Sequence, residues 1–186
     1  MIIKEADFAR IDLTGKTIVF PTDTVYGIGC LFDDKESIDR IFRIKNRDYH
    51  KPMAILAADL DMLDPLIEMT DEIRYLAAKH WPGALTLIAK KKNIVSDLVT
   101  AGKDTVGVRI PNHPLALALL RRFGPLVTTS LNQSGEDPIM TFKDAMAYED
   151  RVDYLVDGGK TEGIASTVYD AENYVIIRQG KVIIRD

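Results

Sequence analysis

Three cations that could bind one anionic group lie close together in the sequence. Lys45 and Arg47 are two residues apart and Lys51 follows shortly after, so their side chains can converge on a phosphate or carboxylate. Arginine binds such groups through two parallel hydrogen bonds, whereas lysine acts as a point charge. The same residues end a predicted helix, where cations also compensate the negative end of the helix dipole. Taken alone, the segment favours this simpler, structural interpretation.

Hydroxyl and amide side chains follow two predicted strands. The segment 21–27, PTDTVYG, comes directly after a strand that ends at Phe20, and the segment 128–135, TTSLNQSG, belongs to the end of a strand that begins at Leu126. Ligands of α/β folds bind at the carboxyl ends of strands, and such side chains can hold phosphate or ribose. Polar turns explain the same residue types, so both interpretations stay open for these segments alone.

Arg109 interrupts an apolar strand near its end. A buried arginine requires a carboxylate or phosphate partner, because an unpaired buried charge is costly. We favour this interpretation over an edge strand with Arg109 in solvent. Ser166, Thr167 and Arg178 are weaker signals of the same kind in the last part of the chain.

Several common catalytic motifs are missing from the sequence. It contains no phosphate-binding P-loop, no Gly-x-Ser-x-Gly elbow and no paired Cys/His metal spacing. The single cysteine, Cys30, is interpreted as a small buried apolar residue, and the three histidines are scattered. The residues therefore indicate a site that uses cations and hydroxyls rather than a covalent nucleophile, with no metal ligands.

Short β-branched runs alternate with amphipathic segments, which predicts an α/β fold. Strands are predicted at 17–20, 53–57, 84–89, 105–110 and 126–129, and helices at 37–44, 70–80, 114–123 and 141–149. The last part predicts short strands at 154–156, 166–169, 174–178 and 182–185, joined by tight turns at 157–159 and 179–181. Because this order places hairpins after βαβ units, we predict a mixed parallel and antiparallel sheet.

Composition predicts one cytoplasmic domain over residues 1–186. The chain is 46% hydrophobic and 28% charged, and no apolar run approaches the length of a membrane span. The N-terminus does not have the pattern of a signal peptide, and one cysteine fits a reducing compartment. The net charge of −4 disfavours general nucleic-acid binding, although the basic run 90–92 leaves a small local patch open.

The motifs occur together in an order that resembles the Sua5/YrdC/YciO family of threonylcarbamoyl-AMP synthases. The similar segments are 21–27 (PTDTVYG), Lys45-x-Arg47, 81–86 (WPGALT), 108–114 (VRIPNHP), Ser130-x-Asn132 and 166–168 (STV). Each motif is weak, but the ordered set is specific and extends from Phe20 to Gly180. Leu131 differs from the small alanine usual in this family, and it would either narrow the cavity or pack outward.

The resemblance implies a twisted mixed α/β sheet with flanking helices around a large basic cavity. It also implies condensation of L-threonine, bicarbonate or CO2 and ATP, which releases pyrophosphate and precedes tRNA modification by separate partner proteins. Mg²⁺ is expected with the triphosphate. The implied catalytic residues are Lys45 and Arg47. The implied ligands of ATP are Lys45, Arg47, Thr105, Ser130, Asn132 and Arg178, and those of threonine are Thr24, Arg109 and Ser166.

Three competing functions stay open on the sequence alone. The chain ends soon after Arg178, so we compare it with the short YrdC and YciO types, and a YciO-like paralogue could lack the activity. The intact Lys45-x-Arg47 pair favours the active synthase over such a paralogue. The second competing function is an RNA-binding module, and the third is an adenylate-forming enzyme for a different amino acid.

Overall fold

The structure is a computed structural model that describes residues 1–184. Its strands are β1 (Ile2–Ile3), β2 (Ile18–Pro21), β3 (Tyr26–Leu31), β4 (Ala54–Leu56), β5 (Leu85–Lys90), β6 (Thr105–Arg109), β7 (Leu126–Ser130), β8 (Tyr154–Val156), β9 (Thr167–Asp170) and β10 (Val175–Arg178). Its helices are α1 (Lys35–Lys45), α2 (Leu60–Leu63), α3 (Asp71–His80), α4 (Asp97–Thr100), α5 (Pro114–Phe123) and α6 (Phe142–Ala145), with 3₁₀ turns at Glu5–Asp7 and Met146–Tyr148.

The ten strands form one sheet in the order β1-β8-β2-β3-β7-β4-β6-β5-β9-β10. The β8 strand runs parallel to β1 and β2, β4 runs parallel to β6, and β5 runs parallel to β9. The other neighbours are antiparallel. The predicted mixed sheet is therefore confirmed.

The two faces of the sheet carry different layers. On one face, α1 buries Ile38, Ile41 and Phe42 in a core that also contains Ile28 and Val127. On the other face, α5 packs against the β2 side of the sheet, in a second core with Leu119, Leu120 and Phe20 among its members. This leaves the remaining part of the α5 face available for a site.

Side chains at the helix ends stabilise three of the helices. The Thr70 hydroxyl accepts a hydrogen bond from the backbone of Ile73 and caps α3, and the Thr141 side chain caps α6 in the same way. The α5 helix begins with Pro114, where a missing N–H is tolerated. The predicted helix at 141–149 divides into α6 and the 3₁₀ turn Met146–Tyr148.

Two predictions about strands are wrong, and one strand was not predicted. The segment 157–159 does not close a hairpin, because β8 pairs with β1 and β2 whereas β9 pairs with β5 and β10. Residues 182–184 form no strand, although the Val182 carbonyl accepts a hydrogen bond from Thr167, and Arg185 lies outside the described residues. Strand β3 was not predicted, because Gly27 and Gly29 are poor strand formers. A Cβ on Gly29 would lie 2.8 Å from the Val127 carbonyl oxygen and 2.9 Å from the Thr128 hydroxyl, so this contact with β7 requires glycine.

Candidate functional site

A cleft of about 340 Å³ opens on the face of the sheet that α5 covers in part. Small side chains from several strands line it, among them Gly27, Ala54, Thr86 and Thr128. Among the described residues that line the cleft, the charged ones are Arg47, Arg109 and Arg178. The large size and the basic character of the cavity stay predictions. The three guanidinium groups support its basic character.

Arg109, at the end of β6, has the carboxylate partner that its position in an apolar strand predicts. Its side chain is 7% exposed and its Nη2 donates a hydrogen bond to Asp23, whose side chain is 12% exposed. Its Nη1 donates to the Thr24 hydroxyl at 3.1 Å and its Nε to the Gly83 carbonyl at 3.0 Å. Burial lowers the pKa of Arg109, with the Asp23 carboxylate opposing this effect and the Arg178 guanidinium adding to it. The guanidinium is thus fixed in a preformed arrangement.

Ser166 and Arg178 complete this side of the cleft. Arg178 donates to the Ser166 carbonyl through Nε at 3.2 Å and through Nη2 at 2.9 Å, and Nη2 is also 3.2 Å from the Ser166 hydroxyl. The Ser166 hydroxyl lies 3.0 Å from that of Thr86 on β5. We call Asp23, Thr24, Arg109, Ser166 and Arg178 the arginine cluster.

Lys45, at the end of α1, forms the second group of predicted residues. It is 1% exposed, and its ammonium donates to the Ser130 carbonyl and, at 2.7 Å, to the Asn132 Oδ1. The Ser130 hydroxyl also donates to the Asn132 Oδ1, at 2.9 Å. Burial, followed by repulsion from Arg47 and Lys51, lowers the pKa of Lys45 to about 7. We call Lys45, Arg47, Ser130 and Asn132 the lysine cluster.

The lysine cluster reaches the cleft through Ser130 and Arg47, which line it. Arg47 donates to the Pro52 carbonyl at 2.9 Å, so the guanidinium holds the turn that leads into β4. Lys45 and Asn132 contact Ser130 but are not among the lining residues. The lysine charge therefore lies directly behind the cleft wall.

Not every predicted site residue is part of these clusters. Thr105 begins β6 and shares the cleft face of that strand with Gly107 and Arg109, but it does not line the cleft. Arg178, expected on the nucleotide side, contacts Ser166 instead of the lysine cluster. Leu131 is fully buried in the core and does not line the cleft, so it does not narrow the cavity.

Two residues of the site received no role from the sequence. Asp23 was part of a recognised segment, but nothing in the sequence pairs it with a residue 86 positions away. Thr86 lies in the strand LTLIAK, where a threonine is compatible with ordinary strand packing. The signal that could have indicated Thr86 is the same as for Arg109, namely a polar residue within an otherwise apolar strand.

The described residues offer no ready metal centre. No group of three or more His, Cys, Asp or Glu side chains in residues 1–184 is placed to hold a metal ion. In the same part of the chain, no helix is long and apolar enough to cross a membrane.

The chain is similar in sequence to proteins of one family. The family model for Sua5, YciO and YrdC, described as "Telomere recombination", matches residues 12–180. The threonylcarbamoyl-AMP synthase of Pyrococcus abyssi is 37% identical over 172 residues, which cover 89% of this chain and 51% of that protein. The threonylcarbamoyl-AMP synthase of Bacillus subtilis is 38% identical over 185 residues, which cover 95% of this chain and 53% of that protein. The chain therefore spans about half the length of these two curated relatives.

Solved structures give the same result for the fold. The crystal structure of P. abyssi Sua5 complexed with L-threonine superposes with a TM-score of 0.92 and 34% identity, covering 97% of this chain and 57% of that chain. The crystal structure of Escherichia coli YciO superposes with a TM-score of 0.86 and 27% identity, covering 97% of this chain and 94% of that one. Because the family model spans most of the sequence, and because the sheet superposes along nearly its whole length, this chain belongs to the Sua5/YciO/YrdC family.

Proposed function

We propose that this protein is an enzyme, a nucleotidyltransferase that makes L-threonylcarbamoyl-adenylate from L-threonine, bicarbonate or CO2 and ATP. The observation that carries the proposal is that one cleft is bordered by two clusters of different electrostatic character. The arginine cluster holds an internal carboxylate, Asp23, whereas the cations of the lysine cluster have no carboxylate partner among the described residues. A zwitterionic amino acid suits the first, and a polyanionic triphosphate suits the second.

We assign threonine to the arginine cluster. Within residues 1–184, Arg109 uses three of its five N–H groups on Gly83, Thr24 and Asp23, so two remain for a substrate carboxylate. The hydroxyls of Thr24 and Ser166 are the other polar groups that we assign to the amino acid. The crystal structure of a relative, P. abyssi Sua5, in complex with L-threonine supports the choice of L-threonine as the ligand.

The lysine cluster would hold the phosphates of ATP. Lys45 and Arg47 supply positive charge, and Ser130 and Asn132 supply polar groups next to them. Arg178, beside Ser166, would lie where the amino acid and the α-phosphate meet. Thr105 begins β6 and does not line the cleft, and we assign it to the rest of the nucleotide from the family resemblance alone.

The chemistry requires positioning more than a covalent nucleophile. The threonine ammonium first loses a proton to solvent, and the free amine attacks the carbon of CO2 and releases a second proton to give the carbamate. A carbamate oxygen then attacks the α-phosphorus, and the bond from this phosphorus to the β-phosphate oxygen breaks as pyrophosphate leaves. Carbamates are labile in water, so a cleft that holds both reactants side by side favours the second step. Phosphoryl-type transfer depends on charge neutralisation, which the three arginines and Lys45 can provide.

Mg²⁺ is expected to accompany ATP, but the described residues that line the cleft include no carboxylate for it. No aspartate or glutamate is among the described residues that line the cleft. The ion would therefore be held by the phosphate oxygens of its substrate, and we assign no protein ligand to it. The labile product would be passed on to separate tRNA-modifying proteins, and we propose a cytoplasmic location for this step.

Pyrophosphate release tests the proposal directly. Purified protein is supplied with ATP, threonine and bicarbonate, and each substrate is then omitted in turn. We expect release that needs all three, and release with serine or valine at a much lower rate. Alanine at Lys45 or Arg47 should abolish it while the circular dichroism spectrum is unchanged. Wild-type rates in both variants would exclude the assigned roles.

The match to YciO over 94% of that protein supports a second candidate, a paralogue with another substrate. In that case ATP would still bind, measured by calorimetry, but no pyrophosphate would appear with threonine. An RNA-binding role would instead show as binding that weakens steeply as salt rises.

A further inference from the structure

Thr86 is a cleft residue to which the proposed function gives no role. It lies on β5, where the neighbouring residues Leu85 and Leu87 are fully buried in the core. Its own side chain points to the opposite face, lines the cleft and is 8% exposed. Its Oγ1 lies 3.0 Å from the hydroxyl oxygen of Ser166, which is 7% exposed.

The orientation of Thr86 is fixed by its neighbour on β6. A Cβ built on Gly107 would lie only 3.2 Å from the Thr86 Cγ2, so the methyl group occupies space that glycine leaves free. Threonine has few accessible χ1 angles because its Cβ is branched. With the methyl group directed at Gly107, the hydroxyl is held toward Ser166.

Counting hydrogens shows what this contact leaves for a ligand. Arg178 Nη2 lies within donating distance of the Ser166 hydroxyl oxygen, at 3.2 Å. Either hydroxyl can donate to the other, and a hydroxyl has one hydrogen. In residues 1–184 neither hydroxyl has a further hydrogen-bond partner. When Thr86 donates to Ser166, the Ser166 O–H therefore remains free beside the cleft, and in the opposite direction the free O–H is that of Thr86.

We propose that Thr86 is a positioning residue, which holds the Ser166 hydroxyl in the orientation that binds the amino-acid substrate. This inference rests on the proposed function, because it takes L-threonine as the ligand of Ser166. Arg178 does not depend on Thr86 in the same way, since two of its hydrogen bonds go to the Ser166 carbonyl. Loss of the Thr86 hydroxyl should therefore affect threonine and leave ATP almost unaffected.

The test compares Thr86→Val, which keeps the shape and removes the hydroxyl, with Thr86→Ser, which keeps the hydroxyl. Threonine binding is measured by calorimetry, and the KM values for threonine and ATP by pyrophosphate release. We expect Thr86→Val to raise the Kd and KM for threonine about 3- to 10-fold, the range for one lost hydrogen bond. The KM for ATP should change less than about 2-fold in both variants. Thr86→Ser should raise the threonine Kd less than Thr86→Val does, because it keeps the hydroxyl and loses only the methyl group that orients it.

A matched control separates positioning from general damage. Thr100 is fully buried, and its hydroxyl donates to the Lys103 carbonyl at 2.8 Å, outside the cleft. Thr100→Val should lower the melting temperature without changing the threonine Kd. An unaltered threonine Kd in Thr86→Val, or an equal loss in Thr86→Ser, would overturn the role of Thr86.

A double-mutant cycle tests whether Thr86 acts through Ser166. In a Ser166→Ala background, Thr86→Val should weaken threonine binding by less than about 2-fold, because the hydroxyl it positions is gone. An undiminished 3- to 10-fold effect there would show that Thr86 acts independently of Ser166, and would overturn the inference. If the unmodified protein does not bind threonine, both the proposed function and the role of Thr86 are overturned. If it binds threonine but the Thr86 variants do not behave as expected, only the role of Thr86 is overturned.

Discussion

Each of the two clusters that border the cleft contains a buried cation, and the two cations have different hydrogen-bond partners. Arg109 is paired with Asp23 inside the protein, and the pair is nearly inaccessible to water. Lys45 is equally buried, but oxygens of Ser130 and Asn132 are its hydrogen-bond partners. One cation has a counterion of its own, and the other has neutral dipoles and two cationic neighbours, Arg47 and Lys51.

This difference indicates what each cluster is suited to bind. A paired arginine is rigid and adds little net charge, so it suits a ligand that is itself nearly neutral. An unpaired lysine gains a counterion only when an anion arrives, so its charge is better used by phosphate. The unfavourable free energy of burying a charge is therefore larger at the lysine cluster than at the arginine cluster.

The largest expected effect comes from breaking the pair in the arginine cluster. Asp23→Asn leaves a buried guanidinium without its carboxylate and should lower the free energy of unfolding by about 3–5 kcal/mol. Asp153→Asn is the matched control, because Asp153 pairs with Arg40, whose side chain is 36% exposed and can reach water. Urea denaturation should show a clearly smaller loss for Asp153→Asn. Equal decreases in the free energy of unfolding for the two variants would mean that the burial of Arg109 does not determine the destabilisation.

Removing the unpaired cation should have the opposite balance of effects. Lys45→Met keeps the length of the side chain and removes a charge that has no counterion. We expect pyrophosphate release to fall at least about 100-fold, as for loss of a group that stabilises transition-state charge. The free energy of unfolding of this variant should be at most about 1 kcal/mol below that of the wild type, or higher than it. A variant that loses stability as strongly as Asp23→Asn would contradict the contrast between the clusters.

A further effect is a pH dependence confined to the lysine cluster. With its pKa lowered to about 7, Lys45 loses its proton in the folded protein above that pH, whereas the unfolded chain keeps it to about pH 10. The unfolded state then binds more protons, so this group makes stability rise with pH between about 7 and 10. Lys45→Met should lack that rise in urea denaturation at pH 7 and pH 9.

The same titration should appear in substrate binding. If ATP requires protonated Lys45, the KM for ATP should rise up to about 10-fold per pH unit above pH 7. The KM for threonine should change less over this range, because Lys45 is not part of the arginine cluster. Identical pH profiles for the two substrates would argue against separate roles of the clusters.

Much of the fold could be predicted from local sequence patterns. The helices over 70–80 and 114–123 agree with α3 and α5 because a Thr70 cap and a leading Pro114 mark their starts. The prediction of a hairpin at 157–159 was wrong because a pair of glycines indicates a local turn but does not indicate which strand pairs with the next one. Where β9 pairs depends on the cores of distant strands, which no local pattern records.

The site was predicted in its residue types more than in its arrangement. The sequence required a carboxylate or phosphate partner for Arg109, and the structure supplies a carboxylate, Asp23, from a segment far away in the chain. Thr105 was expected with the nucleotide ligands but does not line the cleft. Thr86 received no role because a threonine in a strand is ordinary until its neighbours are known.

The sequence by itself determined the mixed sheet, the caps and the reliance on cations and hydroxyls, since these follow from periodicity and side-chain chemistry over short distances. Only the tertiary structure decided which charges are paired. Electrostatic energy depends on burial and on separations of a few ångströms, and the strand order sets both by bringing Asp23 to Arg109 while leaving Lys45 among neutral oxygens.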